Sequence, residues 1–335
     1  MAVIIESKYL RAGNRAQLVD VVPLSSPYSI FIEPTNACNF RCKYCPTGDT
    51  KLLQSIGRKV KLMEFDLFCK IVDDIKAFPQ KLKMVNLYKD GESLIHPRFC
   101  DMVRYLKEAN VTEKIWVKTN GSLLCPAMNE ELVKCGLDMI GVSVQGVTSQ
   151  AFYDIAGVRI DYEKYRTNVL DLFSRSRGKV KISVKVSDYG QSQEEKDKFI
   201  QDFSDRCDFI SIEGLHGWSA SERGDFRMGT DNTLDGTPIK EKIACPLTLY
   251  MLTVSASGKM AICNDAWMMT HDIGDANTES LFDIWHGEKL KKFRMMHLTG
   301  NRSKNPECGT CQYISVIPDF IDDDREEIIR KLNAV

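Results

Sequence analysis

The sequence predicts an α/β protein with a parallel sheet, and two observations carry that prediction. Between residues 28 and 213, short apolar stretches typical of strands alternate with stretches whose apolar residues recur at helical spacing. Strand–helix repeats of this kind build parallel sheets. Apolar and polar residues also alternate along 180–186, whereas parallel strands covered on both faces are usually apolar throughout. We therefore expect the polar face of the sheet to line a cavity that suits a polar substrate.

The predicted elements follow one another in a regular order. Six strands are predicted, at residues 28–33, 84–88, 114–119, 137–145, 180–187 and 208–213. Five helices are predicted between them, at residues 63–77, 97–109, 126–135, 162–176 and 192–206. Pro126 suits the first turn of its helix. A short helix is possible at 4–10, and the basic residues 51–61 predict a loop.

The alternation along each strand predicts which side chains point into the cavity, because successive side chains of a strand lie on opposite faces. Lys185 belongs to the polar face of the fifth strand. Singly, such residues are more often structural than catalytic, but together they predict a polar lumen. The other inward residues are Ser29, Glu33, Asn86, Tyr88, Trp116, Lys118, Ser143, Gln145, Ser211 and Glu213.

Composition excludes several classes of partner. The chain has 45 Lys and Arg against 46 Asp and Glu, so its charge gives no reason to expect nucleic acid or an anionic membrane. No apolar run approaches the roughly 18 residues of a membrane span, and the first residues do not resemble a signal peptide. We expect a cytoplasmic protein, in which 12 cysteines do not indicate a disulfide framework.

Three cysteines lie close together directly after the first predicted strand. Cys38, Cys42 and Cys45 occupy a loop with spacings of Cys-x3-Cys-x2-Cys. Clustered thiolates bind zinc or iron–sulfur clusters. Structural zinc usually takes four ligands and no fourth Cys or His is nearby, so three ligands fit a 4Fe–4S cluster with one iron open to an external chelator. A zinc knuckle or three structural thiols is the alternative.

This cysteine pattern, with an aromatic residue before its last cysteine, resembles the signature of the radical S-adenosylmethionine (SAM) superfamily. The resemblance implies a partial (β/α)6 TIM-like barrel in which SAM chelates the open iron. Reduction of SAM would give a 5′-deoxyadenosyl radical that abstracts hydrogen from a substrate. It also implies a reductant such as flavodoxin or ferredoxin.

Further residues match the SAM-binding positions of that superfamily. Asp90, Gly91 and Glu92 resemble the Gly-Gly-Glu-Pro stretch that binds the SAM amino group, with Asp90 in place of the first glycine and Ser93 in place of proline. The resemblance implies SAM contacts for four more residues at the strand ends and in the cysteine loop, although the transfer to Lys185 is weak. These four are Tyr44, Asn120, Ser143 and Lys185.

Four more cysteines follow a predicted hairpin around 255–258 and a predicted helix at 280–298. Cys245, Cys263, Cys308 and Cys311 resemble the superfamily's SPASM/twitch extension in its shorter form. The resemblance implies a second, auxiliary 4Fe–4S cluster with all its ligands supplied by protein, and structural zinc is the alternative. The implied domains are an extension at 1–27, the barrel at 28–213, a connecting loop at 214–244, the α+β auxiliary-cluster domain at 245–312 and a tail helix within 313–335.

The remaining candidates are less specific. The Gly-rich residues 214–242 predict a long loop in which His216 and Trp218 are candidates for substrate contact. The scattered cysteines are expected to be buried hydrophobes, with hydrogen donation to a substrate radical as the alternative. They are Cys69, Cys100, Cys125, Cys135 and Cys207.

These features predict an oxidoreductase or epimerase that acts on a sugar, cyclitol or similar small molecule. An auxiliary cluster would accept an electron from the substrate radical, and Lys185, Glu213 or Tyr88 would accept the proton. A peptide or protein maturase of the SPASM type is the alternative enzyme. An iron–sulfur electron carrier or a zinc-binding adaptor without catalysis is the alternative outside enzymes.

Overall fold

The computed structural model describes residues 3–4, 16–215, 232–233 and 237–334. Its strands form one sheet in the order β1-β7-β6-β5-β4-β3-β2-β8-β9. The strands are β1 (Val3–Ile4), β2 (Ser29–Ile32), β3 (Met84–Asn86), β4 (Ile115–Thr119), β5 (Met139–Val144), β6 (Lys181–Ser187), β7 (Phe209–Glu213), β8 (Met251–Val254) and β9 (Met260–Ala261). The six predicted strands are therefore present as β2 to β7.

Strands β1 to β8 are all parallel, and only β9 runs antiparallel to its neighbour β8. β1 and β9 stand at the two ends of the order, and among the described residues no pairing joins them. The open parallel sheet confirms the predicted partial barrel. The carboxyl ends of β2 to β7 consequently lie at one rim, which is where such folds place ligands.

The helices lie between the strands and after them. They are α1 (Leu18–Val21), α2 (Thr50–Ser55), α3 (Phe65–Ile75), α4 (Phe99–Ala109), α5 (Pro126–Lys134), α6 (Ser149–Ala156), α7 (Tyr162–Ser176), α8 (Gln193–Phe203), α9 (Leu281–His286), α10 (Glu288–Leu298), α11 (Pro306–Thr310), α12 (Tyr313–Val316) and α13 (Arg325–Asn333). The five helices predicted within the barrel are present as α3, α4, α5, α7 and α8.

Several local predictions were wrong. The loop predicted at 51–61 begins with α2, whose first turn is capped by the Asp49 side chain. Ile4 is in a strand rather than in the helix predicted at 4–10, of which the other residues lie outside the described part. The single helix predicted at 280–298 is two helices, because Gly287 has an extended backbone between α9 and α10. Helix α6 was not predicted.

The C-terminal part joins the barrel through the sheet. β8 pairs with β2 along four residues, so the predicted hairpin of β8 and β9 extends the barrel sheet beyond its first strand. The tail helix α13 packs through Ile328 in a small apolar cluster that also contains Leu18 and Leu298. The ammonium group of Lys331 donates to the carbonyl of Val19 (2.6 Å). Helices α1 and α13 therefore pack together beside the end of α10.

Candidate functional site

The first three cysteines lie on the loop that leaves β2, and helix α6 holds this loop in place. The backbone N–H of Arg41 donates to the carbonyl of Ala156 (2.7 Å), and that of Lys43 donates to the carbonyl of Ile155 (2.9 Å). These carbonyls belong to the C-terminal end of α6, where helices leave acceptors unsatisfied. The helix that the sequence did not predict is thus what orients the predicted cysteine loop.

The three thiols are close enough to disfavour one another's ionisation. Burial raises the pKa of Cys38 to about 11. Burial, followed by the charges of Cys45 and Cys38, raises the pKa of Cys42 well above its ordinary value, and burial also raises that of Cys45. Such thiols lose their protons only when a cation takes their place. Three half-buried thiols on one loop therefore fit an iron–sulfur cluster.

The turn after β3 fastens the start of the cysteine loop. The N–H of Glu92 donates to the carbonyl of Ala37 (2.8 Å). A Cβ on Gly91 would lie 2.2 Å from the carbonyl oxygen of Thr35 and 2.6 Å from that of Ala37, so only glycine allows this approach. Gly91 therefore has a packing requirement in addition to its predicted place in SAM binding.

Glu92 is buried and accepts three hydrogen bonds. Its Oε1 accepts from the hydroxyl of Thr119 (2.8 Å) and the N–H of Leu94 (3.0 Å), and its Oε2 accepts from the N–H of Asn120 (2.6 Å). The carboxylate thus ties the turn to the end of β4. Burial raises its pKa, and these bonds oppose the rise.

Asp90 belongs to a buried cluster of four charged side chains. Its Oδ2 accepts from Arg58 (2.7 Å) and from Lys89, and Arg58 lies 3.6 Å from Glu33. Burial alone would raise the pKa of Asp90, but Lys89 and Arg58 hold it below the usual range. The buried Oδ1 of Asp90 has no hydrogen-bond partner among the described residues, which fits an acceptor for the ammonium group of SAM.

This charge cluster also contacts the C-terminal part. The N–H of Ala256 donates to Oε2 of Glu33 (2.9 Å), and the guanidinium of Arg58 donates to the carbonyl of Trp267 (3.1 Å). Sequence reasoning missed Arg58, because it lies within the basic stretch 51–61 that was predicted as loop, and it did not single out Lys89. Nothing in the sequence around these two basic residues indicates that their side chains are buried.

Asn120 and Tyr44 link the cysteine loop to other strand ends. The side-chain amide of Asn120 donates to Oδ1 of Asn39 (2.8 Å). Asn39 directly follows Cys38. The hydroxyl of Tyr44 donates to Oε1 of Gln145, just beyond β5. Ser143 is half-buried, and its carbonyl accepts from the amide of Gln145 (3.0 Å). These contacts place the predicted SAM-binding residues around one rim.

The three predicted catalytic residues do not form one constellation. The ammonium group of Lys185 donates to Glu213 (2.7 Å) on the neighbouring strand. Tyr88 instead packs edge-on against Trp116, with ring centroids 5.8 Å apart, and the ammonium of Lys118 lies over both rings. The lumen thus contains an ion pair on β6 and β7, and a cation–aromatic group that Tyr88, two residues beyond β3, forms with two residues of β4.

The four C-terminal cysteines surround a single cavity. Cys245, Cys263, Cys308 and Cys311 all line one small, partly open cavity. Burial raises the pKa of Cys245 to about 12, and that of Cys263 well above its ordinary value. Four thiols around one cavity match the number of ligands that a 4Fe–4S cluster takes.

Two histidines line the same cavity, and sequence reasoning did not name either as a site residue. They are His271 and His297, both almost fully buried. Burial lowers the pKa of His271 to about 3 and that of His297 to about 4. Neutral imidazoles beside buried thiols were not predictable from spacing, since His271 lies in an irregular loop and His297 on a helix.

Family models match two regions of the chain. A model described as the radical SAM superfamily matches residues 32–201. A second model, described as an iron–sulfur cluster-binding domain (SPASM), matches residues 245–312. The first model covers half of the chain, and the two matched regions contain the two groups of cysteines. Within the described residues, every helix is too short or too polar to cross a membrane.

Curated relatives match over limited stretches. The chain is 37% identical over 115 residues to a tungsten-containing aldehyde ferredoxin oxidoreductase cofactor-modifying protein of Pyrococcus furiosus, covering 34% of this chain and 30% of the relative. It is 30% identical over 122 residues to a GTP 3′,8-cyclase of Microcystis aeruginosa, covering 36% of each. The matches thus span about a third of these relatives' length.

Solved structures share the fold over most of the chain. BtrN in complex with AdoMet and 2-DOIA superposes with a TM-score of 0.56 at 18% identity, covering 87% of this chain and 95% of BtrN. Streptococcus suis SuiB bound to its precursor peptide SuiA has a TM-score of 0.63 at 14% identity, with 92% and 77% coverage. For anSMEcpe with bound AdoMet the TM-score is 0.57 at 12% identity, with 92% and 98% coverage. At these identities the likeness concerns the fold.

Proposed function

Because the chain belongs to the radical SAM superfamily and carries a SPASM-type iron–sulfur extension, we propose that it oxidises a hydroxyl-bearing polar small molecule such as a sugar or cyclitol. When bound, SAM with a reduced 4Fe–4S cluster supplies a 5′-deoxyadenosyl radical, and the auxiliary cluster supplies an acceptor for one electron. In this reaction the substrate carbon loses a hydrogen atom, the hydroxyl loses its proton, and one further electron leaves to give the ketone.

The observation that carries this proposal is the single cavity lined by four cysteines. Four protein ligands leave no iron of a 4Fe–4S cluster open for substrate, so electron transfer is the role that suits it. The buried cluster of Glu33, Arg58, Lys89 and Asp90 contacts both cysteine regions: it bonds to the backbone of Ala256 and Trp267, and the Asp90 carbonyl accepts from the hydroxyl of Thr47, two residues after Cys45. We therefore propose that the domains at 28–213 and 245–312 work as one unit.

Lys185 and Glu213 are the proposed proton-handling pair. The Glu213 carboxylate accepts from Lys185 and from the hydroxyl of Ser211 (3.2 Å), and both members of the pair are partly exposed. A carboxylate with a cationic neighbour can take the proton of a substrate hydroxyl. Tyr88, Trp116 and Lys118 would then position the substrate.

The names of the curated relatives support a small substrate. One is a cofactor-modifying protein and another a GTP cyclase, so both names point to small polar molecules. The proposed SAM-binding residues leave the lumen side of β6 and β7 for such a substrate. They are Tyr44, Asp90, Gly91, Glu92, Asn120 and Ser143, with the cluster held by Cys38, Cys42 and Cys45.

The test is anaerobic incubation of the reconstituted protein with SAM, a reductant and panels of cyclitols, sugars, nucleotides and peptides. We expect 5′-deoxyadenosine together with a product lighter by two hydrogens. We expect Glu213→Gln to lower the formation of this oxidised product by roughly 10²–10⁴-fold. The control variant Glu194→Gln, at an exposed position on α8, should leave the formation of the product unchanged. A product of unchanged mass would indicate epimerisation, a modified peptide would indicate a maturase, and intact clusters without 5′-deoxyadenosine would overturn the proposal.

A further inference from the structure

We propose that His271 and His297 donate hydrogen bonds to the auxiliary iron–sulfur cluster and raise its reduction potential. Both rings line the cavity that the four C-terminal cysteines surround. The proposal deepens the proposed function, because an electron acceptor needs a suitable potential. The reduction potential can be measured without any substrate, so a test of the histidines can fail while the proposed oxidation holds, and the reverse.

The position of the proton on His271 follows from its neighbours. The backbone N–H of Ile262 donates to Nδ1 of His271 (3.0 Å). A ring nitrogen that accepts a hydrogen bond carries no proton, so the ring is neutral and its proton is on Nε2. Nε2 lies 3.6 Å from Sγ of Cys308. His271 therefore donates an N–H···S hydrogen bond to a cluster ligand.

His297 is the second proposed donor, because its ring nitrogens make no hydrogen bond within the described residues. It is 1% exposed, and neither Nδ1 nor Nε2 has a hydrogen-bond partner among the described residues. Leaving a buried polar group without a partner is unfavourable, and native structures rarely do so. The ring packs on Phe293 (centroids 5.1 Å apart), which in turn packs on His271 (4.8 Å). A cluster in the cavity would satisfy this ring.

A network of hydrogen bonds fixes His271 against the helix that carries Cys308. Oε1 of Glu307 accepts from the N–H of Met268 (2.6 Å), and its Oε2 accepts from the N–H of Thr270 (2.8 Å). The side-chain amide of Asn305 donates to the carbonyl of Thr270 (3.0 Å), while its Oδ1 caps α11 at the N–H of Cys308 (3.0 Å). The loop before His271 is thus joined directly to the residues around Cys308.

The direction of the effect follows from charge. Reduction adds a negative charge to the cluster, and a hydrogen-bond donor stabilises the more negative form. We expect His271→Phe to lower the ratio of reduced to oxidised auxiliary cluster at a fixed potential about tenfold, or about 59 mV for one electron. His297→Phe is expected to act in the same direction, and His271→Gln, which keeps an N–H near the Nε2 position, to restore most of the shift.

The experiment is a potentiometric titration of the holoenzyme followed by electron paramagnetic resonance. The same titration of Cys42→Ala protein, which lacks the SAM-binding cluster, isolates the auxiliary signal. His286→Phe, which changes an exposed histidine on α9, is the matched control and should leave the potential unchanged. Unchanged potentials in His271→Phe and His297→Phe proteins with full auxiliary iron would overturn the proposal.

A second measurement covers variants that fail to assemble the cluster. Electron–nuclear double resonance of the wild-type protein in D₂O and H₂O should detect exchangeable protons coupled to the auxiliary cluster. These couplings should be altered in His271→Gln protein. Their absence from the wild-type spectrum would overturn the proposal even without the phenylalanine variants. Failure to oxidise any substrate, with the couplings present, would contradict only the proposed function.

Discussion

The two cysteine sites differ in how the chain builds them and in what surrounds them. The first has its ligands within eight residues of one loop, from Cys38 to Cys45. The second takes Cys245 and Cys263 from separate segments, Cys308 from α11 and Cys311 from the residue that follows α11. A buried cluster of ion-paired side chains lies beside the first site, whereas two neutral histidines and Arg302 line the second. The first site therefore offers charged partners to a charged ligand, and the second offers hydrogen-bond donors to a cluster.

The surroundings match what each site is proposed to do. SAM brings a sulfonium, an ammonium and a carboxylate, so charged side chains are useful near the open iron. A cluster that only stores an electron needs a stable potential, which neutral donors provide without adding groups that titrate near neutral pH. The comparison leads to predictions that separate the two sites.

The largest expected difference is between Cys42→Ala and Cys263→Ala. Cys42→Ala should abolish formation of 5′-deoxyadenosine, because the cluster that reduces SAM loses a ligand. Cys263→Ala should retain 5′-deoxyadenosine formation and lose the oxidised product. Each variant should lose about four iron atoms, one 4Fe–4S cluster, as measured by iron analysis after anaerobic reconstitution. Equal loss of 5′-deoxyadenosine in both variants would contradict this division of roles.

Asp90→Asn should reveal how strongly the first site depends on charge. The substitution leaves Arg58 and Lys89 buried with only Glu33 to balance them. Removing one member of a buried ion pair typically costs about 3–5 kcal/mol, so the free energy of unfolding in anaerobic urea titrations should fall by that amount. The loss should persist at high salt, since buried charges are weakly screened.

The matched control is Glu113→Gln, which removes the partner of Lys83 (2.9 Å) at the surface. Exposed ion pairs contribute about 0.2–1 kcal/mol and are screened by salt. If Asp90→Asn were no more costly than this control, the charge cluster would not stabilise the barrel rim.

The alternation of strands and helices was sufficient to predict the parallel sheet, because it rests on short-range spacing that a sequence displays directly. The partial barrel followed from the resemblance of the cysteine patterns to the radical SAM superfamily, and the two sets of cluster ligands that the resemblance implies stay predictions. The pairing of β8 with β2 and the hydrogen bond between His271 and Cys308 join residues far apart in the chain. Such contacts depend on how whole elements pack, so no local pattern indicates them.

Local errors had equally specific causes. Helix α6 is only eight residues long, from Ser149 to Ala156, which is shorter than the window of about 11–18 residues over which a helical period can be recognised. The helix breaks at Gly287 because the backbone of this residue is extended, although the helical pattern of apolar residues continues across it. Residues His216 and Trp218 lie outside the described part of the chain, so their proposed substrate contacts stay predictions.

Thr270→Val should have the smallest effect and should concern only the second site. The Thr270 hydroxyl donates to Oε2 of Glu307 (2.7 Å), and valine has nearly the same shape without the donor. Loss of one hydrogen bond to a carboxylate should cost about 1.5 kcal/mol, while the exposed Thr278→Val should cost less than about 0.5 kcal/mol. The resonance signal of the auxiliary cluster should shift slightly, because the loop that holds His271 loosens, and formation of 5′-deoxyadenosine should be unchanged. If Thr270→Val lost no more free energy of unfolding than the control, the two backbone N–H groups that donate to Glu307, those of Met268 and Thr270, would suffice to hold the loop.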